Sequence, residues 1–180
     1  MKNILFKSDK IDNILKRIAH EIIEKNNDLN KLCIIGIKSR GDILSDRIIG
    51  KIYQLSNVKV KSGSIDVTFY RDDFLSNLGS HKIGPSNIDF DISGLHVILI
   101  DDVLYSGRTI RAAMDEIFSF GRPDSIKVGV LVDRGHRQLP IKASYIGKNI
   151  PTSNHEQVHV YLKEIDQKEE VVLMKHNKSS

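Results

Sequence analysis

The sequence of 180 residues predicts a single α/β domain, spanning 1–180, with a mostly parallel central sheet and helices on both of its faces. Three observations predict this class. Apolar runs of strand length alternate with segments of helical periodicity, short polar loops follow three of those runs, and the length suits one hydrophobic core. Hydrophobic residues make up 40% and charged residues 28% of the chain, which is typical of a globular protein rather than a disordered or membrane protein.

The first half of the chain predicts the opening of a βαβ unit. Ser8 is expected to cap a first helix that ends near Asn26, with its apolar side formed by Ile11, Ile14, Leu15, Ile18 and Ile22. Residues 32–37 predict a buried strand, and the loop 38–41 leads into a second helix, one side of which carries Leu44, Ile48, Ile52 and Leu55. The aperiodic segment 71–92, which holds Gly, Ser, Asn and Pro, is expected to be a flexible loop. Before it, a further strand is expected from the alternation of Ile65, Val67 and Phe69.

The second half continues this alternation of strands and helices. Residues 97–100 predict one buried strand, and residues 126–132 predict another. Between them we expect a helix that Gly121 and Pro123 bring to an end, with the apolar residues Ile110, Ala113, Met114, Ile117 and Phe118. The order of elements therefore favours parallel strands joined by helices.

The C-terminal part has a different pattern. Alternation at 158–162 and an apolar run at 171–174 predict extra strands added to the main sheet, and residues 176–180 are expected to be a frayed tail. Residues 155–159 read HEQVH, which formally matches a zinc-protease motif whose two histidines must lie one turn apart on a helix. Because this segment alternates like a strand, positions i and i+4 would lie about 13 Å apart, and we interpret the match as chance.

The composition also limits the setting of the protein. The formal net charge of +4 and a pI near 9.1 permit an anionic partner such as nucleic acid, although on charge alone a solvated basic surface is favoured. The single cysteine, Cys33, lies in an apolar run and is expected to be a buried thiol. The N-terminal apolar stretch is too short for a signal peptide and no run has transmembrane length, so we expect a cytoplasmic protein with no membrane partner.

The stretch VILIDDVLYSGRT, residues 97–109, places two carboxylates next to a segment suited to an anion, which the carboxylates would be expected to repel. Asp101 and Asp102 follow the apolar run, and the segment 106–109 opens a predicted helix with backbone N–H groups and hydroxyls suited to a phosphate. A ribose 5-phosphate reconciles them, because its hydroxyls bind carboxylates. Lys38 and Arg40 on the neighbouring loop would then bind a second anionic group, as in phosphoribosyl diphosphate bound with Mg²⁺. The ATPase phosphate-loop motif and GxGxxG are both absent from the sequence.

The same stretch resembles the phosphoribosyl diphosphate signature of type I phosphoribosyltransferases. GIKSRGDIL, DVTFYRDD, LVDRGHRQLPIKASYIGKNIPTS and VHVYLKEIDQ further resemble, in order and spacing, the family of bifunctional pyrimidine operon attenuation regulators and uracil phosphoribosyltransferases, from about Ile4 to about Leu173. The resemblance implies the type I phosphoribosyltransferase fold with a small hood and formation of UMP and diphosphate from uracil and phosphoribosyl diphosphate. It also implies uridine-nucleotide-dependent binding to the leader RNA of pyrimidine genes and homo-oligomers of two or more subunits.

The resemblance implies a role for each matching residue. Asp101 and Asp102 would hold the ribose hydroxyls, and Arg71 and Asp72 would open the flexible loop that closes over the substrate. The diphosphate loop would consist of Lys38, Ser39, Arg40 and Gly41. The 5′-phosphate would contact Ser106, Gly107, Arg108 and Thr109, and the preceding Val103, Leu104 and Tyr105 would also bind substrate. Residues that line the hood, including Asp133, Arg134, His136 and Arg137, would select uracil.

RNA would contact a basic set that comprises Lys16, Arg17, His20, Arg137 and Lys142. Without the resemblance, the helical members of this set would be interpreted as a solvated face. No metal site made by the protein alone is expected, since Mg²⁺ would be held mainly through the substrate. Two alternatives remain open: a nucleotide sensor that binds RNA with little catalysis, and a phosphoribosyltransferase for another base such as a purine.

Overall fold

The computed structural model of the chain describes residues 2–67, 86–153 and 155–175. The strands among them are β1 (Lys2–Lys7), β2 (Leu32–Ile37), β3 (Lys61–Ile65), β4 (His96–Leu104), β5 (Ser125–Asp133), β6 (Tyr145–Asn149), β7 (Glu156–Tyr161) and β8 (Glu170–Lys175). The α-helices are α1 (Ser8–Lys25), α2 (Gly41–Ser56), α3 (Arg108–Ile117) and α4 (Lys163–Asp166).

The central sheet has five strands in the order β3-β2-β4-β5-β6, and every neighbouring pair is parallel. Alternate residues of β2 and β4 enter two apolar clusters, one with α1 and α2 and the other with α3. The predicted parallel sheet with helices on both faces is therefore confirmed. Cys33 of β2 is buried, as predicted, and burial raises the pKa of its thiol to about 12, which leaves it protonated and unreactive at neutral pH.

A second sheet is antiparallel and has the order β1-β8-β7. We call this sheet together with α4 the hood. The predicted addition of the C-terminal strands to the main sheet is wrong for β7 and β8, and only β6 joins that sheet. Their partner β1 was not predicted, because its short apolar stretch is largely exposed and carries no clear alternation.

Several element boundaries differ from the prediction. Ser8 is the first residue of α1, so the cap position falls on Lys7, which makes no capping side-chain hydrogen bond. Of the strand expected from Ile65, Val67 and Phe69, Ile65 is the last residue of β3, Val67 lies after that strand, and Phe69 lies outside the described residues. Leu55, in the last turn of α2, is exposed, as is Phe118, where a 3₁₀ turn follows α3. The predicted helix and strand segments otherwise occupy their expected places.

The segment predicted as a flexible loop is only partly described. Arg71 and Asp72 lie outside the described residues, as does the predicted frayed tail. The end of the segment is held against the fold: Asn87 and Ser64 exchange backbone hydrogen bonds of 2.7 and 3.0 Å, and Ile92 is buried. No helix in the described part of the chain is long and apolar enough to cross a membrane.

Candidate active site

An acidic pair lies in the last part of β4. The strand pairs with β2 only as far as Ile100, whereas it pairs with β5 as far as Leu104, so its end projects beyond β2. Asp101 and Asp102 lie in this projecting part and are only 2% and 5% exposed. The backbone N–H of Asp102 donates to Asp101 Oδ1 at 2.9 Å, and the N–H of Val103 donates to Asp102 Oδ1 at 2.8 Å. The backbone thus fixes the position of both carboxylates at the edge of the sheet where ligands of parallel α/β folds bind.

The loop after β2 packs directly against this acidic segment. A Cβ on Gly41 would lie 2.2 Å from the Ile100 carbonyl oxygen and 3.1 Å from Asp101 Cα, so only glycine permits this approach. On the other side of the loop, the Lys38 N–H donates to the Ile65 carbonyl at 2.9 Å. The predicted diphosphate loop is therefore next to the predicted ribose carboxylates.

Asp42 follows this loop at the start of α2. Its Oδ1 accepts a hydrogen bond of 2.9 Å from the Ile43 N–H. Burial raises the pKa of the Asp42 carboxyl, and this hydrogen bond and the charge of Lys38 offset only part of that effect. The shift weakens the tendency of this carboxyl to carry negative charge beside a loop suited to anions.

The second loop connects β4 to α3, as the sequence predicts. Ser106 is fully buried, and its Oγ accepts a hydrogen bond of 3.2 Å from the Arg108 N–H at the start of α3. Gly107 has φ +94°, which favours glycine. The Ser106 carbonyl accepts bonds of 3.0 and 3.2 Å from the N–H groups of Gln138 and Leu139. The loop therefore presents the N-terminus of α3 beside the acidic pair, a geometry suited to an anion.

Arg137 holds the polypeptide around this loop in place. Its Nη1 donates to the Tyr105 carbonyl at 2.7 Å and to the Gly135 carbonyl at 3.2 Å, and its Nε donates to the Ile141 carbonyl at 3.0 Å. Its Nη2 forms an ion pair with Asp133. Sequence reasoning assigned Arg137 to uracil and to RNA and missed this bracing role, which uses donors from all three guanidinium nitrogens.

Arg134 and Tyr105 pack together between the second loop and the hood, where Arg134 donates to the backbone carbonyl of Glu156 in β7. Arg134 is 6% exposed, and its guanidinium carbon lies 4.1 Å from the Tyr105 ring centroid. Its Nε donates to Thr152 Oγ1 at 3.1 Å, and a ring nitrogen of His136 contacts the Thr152 carbonyl. These contacts place the predicted uracil-selecting residues together above the ends of β4 and β5.

One contact that no sequence feature predicted joins the first loop to the hood. Arg40 Nη2 lies 2.9 Å from Asp166 Oδ1 and 3.2 Å from Asp166 Oδ2. Nearby, Arg47 of α2 pairs with Glu164 at 2.7 Å and also with Glu169. Asp166 lies in a segment that carries the family resemblance, but 126 residues separate it from Arg40, and no local pattern reveals such a pair.

The predicted RNA-contacting residues divide into two groups. Lys16, Arg17 and His20 are exposed on α1, and Lys142 is exposed just before β6, which packs against α1. Arg137 lies at the second loop, where its Nε donates to the carbonyl of Ile141, the residue before Lys142. Arg17 Nη2 also donates to the carbonyls of Ile146 and Gly147, at 2.8 Å each, so it fastens α1 to β6.

Within the described ranges, no group of three or more His, Cys, Asp or Glu side chains could hold a metal ion. Asp101 and Asp102 supply carboxylate oxygens, the donors that Mg²⁺ prefers, so further ligands would have to come from a substrate and water. His155, part of the HEQVH match, lies in a turn, and the rest of that match belongs to β7, the strand that the alternation predicted.

Comparisons with known proteins agree with this geometry. A family model described as the phosphoribosyl transferase domain matches residues 5–165. The chain is 47% identical over 171 residues to the bifunctional protein PyrR of Fusobacterium nucleatum, covering 95% of this chain and 97% of that protein. It is 50% identical over 174 residues to the protein of the same name from Oceanobacillus iheyensis, covering 96% and 97%.

Solved structures show the same fold. The chain is similar to the hypoxanthine phosphoribosyltransferase of Trypanosoma cruzi, with a TM-score of 0.71, 21% identity and 97% of both chains covered. It is also similar to a hypoxanthine phosphoribosyltransferase from Staphylococcus aureus, with a TM-score of 0.70, 19% identity and coverage of 99% and 94%. At this identity the likeness concerns the fold alone, and it confirms the predicted fold class.

Proposed function

Because the chain belongs to the phosphoribosyltransferase family, and within it to the bifunctional PyrR proteins, we propose that it forms UMP and diphosphate from uracil and phosphoribosyl diphosphate. One observation carries this proposal: the buried pair Asp101 and Asp102 lies beside both a loop held in place by Gly41 and the N-terminus of α3. A sugar with an anionic group at each end fits such an arrangement.

The substrate position follows from these neighbours. The 5′-phosphate accepts hydrogen bonds at the N-terminus of α3, from residues 106–109. Asp101 and Asp102 accept hydrogen bonds from the ribose hydroxyls, and residues 38–41 bind the diphosphate. Uracil lies against Tyr105 and the hood-lining residues 133–137. Asp101 and Asp102 would help substrate oxygens to hold Mg²⁺, which would neutralise part of the diphosphate charge.

The reaction needs no nucleophile from the protein. A uracil nitrogen forms a bond to C1′ while the bond from C1′ to the diphosphate oxygen breaks, and the uracil proton leaves to solvent. Positive charge grows on the ribose next to the carboxylates, and negative charge grows on the leaving group next to Lys38 and Arg40. From the resemblance, Arg71 and Asp72 are proposed as further catalytic residues, and they lie outside the described residues. Catalysis thus depends on positioning and on electrostatic stabilisation.

The first test is the Mg²⁺-dependent conversion of labelled uracil to UMP, run beside a panel of purine bases and other pyrimidines. Selective UMP formation would support the proposal. Preference for a purine would favour the second alternative, which the fold of the similar solved structures also permits. If no base reacts while UMP binds, the chain is a nucleotide sensor with little catalysis.

We further propose that the chain binds the leader RNA of pyrimidine genes when a uridine nucleotide is bound, and that it acts there as an attenuation regulator. The name shared by its relatives, bifunctional protein, and the exposed cations along α1 and before β6 support this second activity. Exposed lysines contact phosphate, which gives affinity that depends strongly on salt.

We also expect homo-oligomers of two or more subunits, which analytical ultracentrifugation would detect.

Lys16→Ala is expected to weaken leader RNA binding in the presence of UMP about fivefold and to lower the salt slope by about one, because one phosphate contact is lost. Lys16 is the appropriate choice because Arg17 also fastens α1 to β6, so removing Arg17 would mix two effects. Filter binding at several salt concentrations measures the change. Lys59→Ala, on an exposed residue after α2, serves as the control. Equal losses in both variants, or a loss of UMP formation in Lys16→Ala, would contradict the assignment of this face.

A further inference from the structure

The contact between Arg40 and Asp166 crosses from the diphosphate loop to the hood. Both carboxylate oxygens of Asp166 accept from the same nitrogen, Arg40 Nη2, at 2.9 and 3.2 Å. The two side chains are only 22% and 15% exposed, so water screens the pair weakly. Arg40 therefore has a fixed partner outside the loop that carries it.

This contact uses only Nη2 of the three guanidinium nitrogens of Arg40. Within the described part of the chain, Arg40 Nε is buried without a hydrogen-bond acceptor, and Nη1 has no hydrogen-bond partner although it is not buried. Buried donors are nearly always satisfied in native proteins. An arginine held by one nitrogen, with its remaining donors unmatched, is suited to receive a second anion.

The contact of Asp166 is one of several ion pairs that join the hood segment to the core. Arg47 of α2 already joins the same segment through Glu164 and Glu169. Asp166 also makes a contact within its own segment: its Oδ2 accepts a hydrogen bond of 2.9 Å from the Leu162 N–H at the start of α4. That hydrogen bond fixes the carboxylate itself, so that it can in turn fix Arg40.

We propose that Asp166 is a positioning residue for diphosphate: it holds Arg40 by Nη2 and directs the free Nη1 toward the diphosphate group of the substrate. The inference rests on the proposed function, since it takes phosphoribosyl diphosphate as the ligand of the loop. It adds a hood residue to the binding of the leaving group. In this arrangement the anion joins the existing ion pair and does not displace it.

Asp166→Asn tests the proposal, because asparagine keeps an oxygen that can accept the Leu162 N–H while the charge that holds Arg40 is lost. The KM for phosphoribosyl diphosphate and the inhibition constant of diphosphate are expected to rise about tenfold, the effect of losing a charge-assisted hydrogen bond. The KM for uracil should not change. Asp166→Glu, which retains the charge, should recover most of the loss.

Two further variants separate positioning from general stability. Glu169→Gln removes a carboxylate, from the turn between α4 and β8, that pairs with Arg47, which retains Glu164, and it should leave both diphosphate constants unchanged. Arg40→Ala should raise the same constants, and adding Asp166→Asn to it should have no further effect, because Asp166 acts through Arg40.

An unchanged or tighter diphosphate constant in Asp166→Asn would overturn the proposal, and tighter binding would mean that Asp166 competes with the ligand for Arg40. Additive losses in the double variant would also overturn it. Calorimetric titration of each variant with Mg²⁺ and diphosphate keeps the inference testable if uracil proves not to be the base. Failure of the wild-type protein to form UMP would concern the proposed function alone.

Discussion

Asp102→Asn is expected to lower kcat/KM for UMP formation about 100-fold, because hydrogen bonds to a charged group are each worth about 1.5–3 kcal/mol. The carboxylate of Asp102 lies buried at the end of β4, where we place the ribose hydroxyls. Asparagine has nearly the same size and retains an oxygen for the Val103 N–H, so the fold should persist. The lost negative charge no longer stabilises the positive charge that grows on the ribose. Steady-state kinetics with varied phosphoribosyl diphosphate would measure the effect.

The control for this variant is Asp124→Asn, which removes one carboxylate from an exposed position before β5. Its kcat/KM should stay within about twofold of wild type, since surface substitutions away from a site have small effects. Unchanged activity in Asp102→Asn with an intact fold would remove the ribose assignment. Equal losses in both variants would point to net charge as the cause.

Gly41→Ala is expected to abolish most activity and to lower the free energy of unfolding by about 1–3 kcal/mol, the typical cost of forcing extra atoms into a packed region. The added Cβ would lie 2.2 Å from the Ile100 carbonyl oxygen. The Ile100 carbonyl belongs to the backbone of β4 and cannot rotate away from the added Cβ. The loop that carries Lys38 and Arg40 must therefore move away from β4. We expect kcat/KM to fall at least about 100-fold, because misplacement by about 1 Å can cost that much.

Gly50→Ala is the matched control for Gly41→Ala. It lies in the same helix, and nothing would contact its Cβ within 4 Å. Alanine there should raise the free energy of unfolding by about 0.5–1 kcal/mol, since glycine is the poorer helix former. Urea unfolding and activity assays on both variants test the pair. A Gly41→Ala protein with normal stability and activity would mean that the loop does not depend on this close approach.

Local sequence features predicted the core of the candidate site. The apolar run before Asp101 and Asp102 and the glycine and hydroxyl residues before α3 form one continuous strand, loop and helix, so their geometry follows from neighbours in the chain. The strand itself is longer than predicted, because periodicity gives no reason for a carboxylate to continue a buried strand. The placement of residues 38–41 beside this pair follows from the general arrangement of parallel strands.

Contacts between distant segments could not be predicted in this way. Apolar alternation indicates that β8 is a strand but does not indicate its partner, and it pairs with β1 and β7 outside the main sheet. Likewise, the sequence does not indicate which acceptors a basic side chain will contact. Arg17 and Arg137 bind backbone carbonyls, and Arg40 binds a carboxylate in the hood. Their roles depend on tertiary packing.

The pairing of β1 with β8 affects how the chain acquires its structure during synthesis. Lys2 lies opposite Met174, so β1 cannot pair until β8 has been synthesised, after every strand of the parallel sheet. The five parallel strands are complete at β6 and can assemble earlier. Contacts between such distant segments form slowly. The parallel sheet is therefore expected to form first on the nascent chain, and the Arg40–Asp166 pair only after synthesis has passed the hood, so a prematurely terminated product would retain the sheet while lacking Asp166.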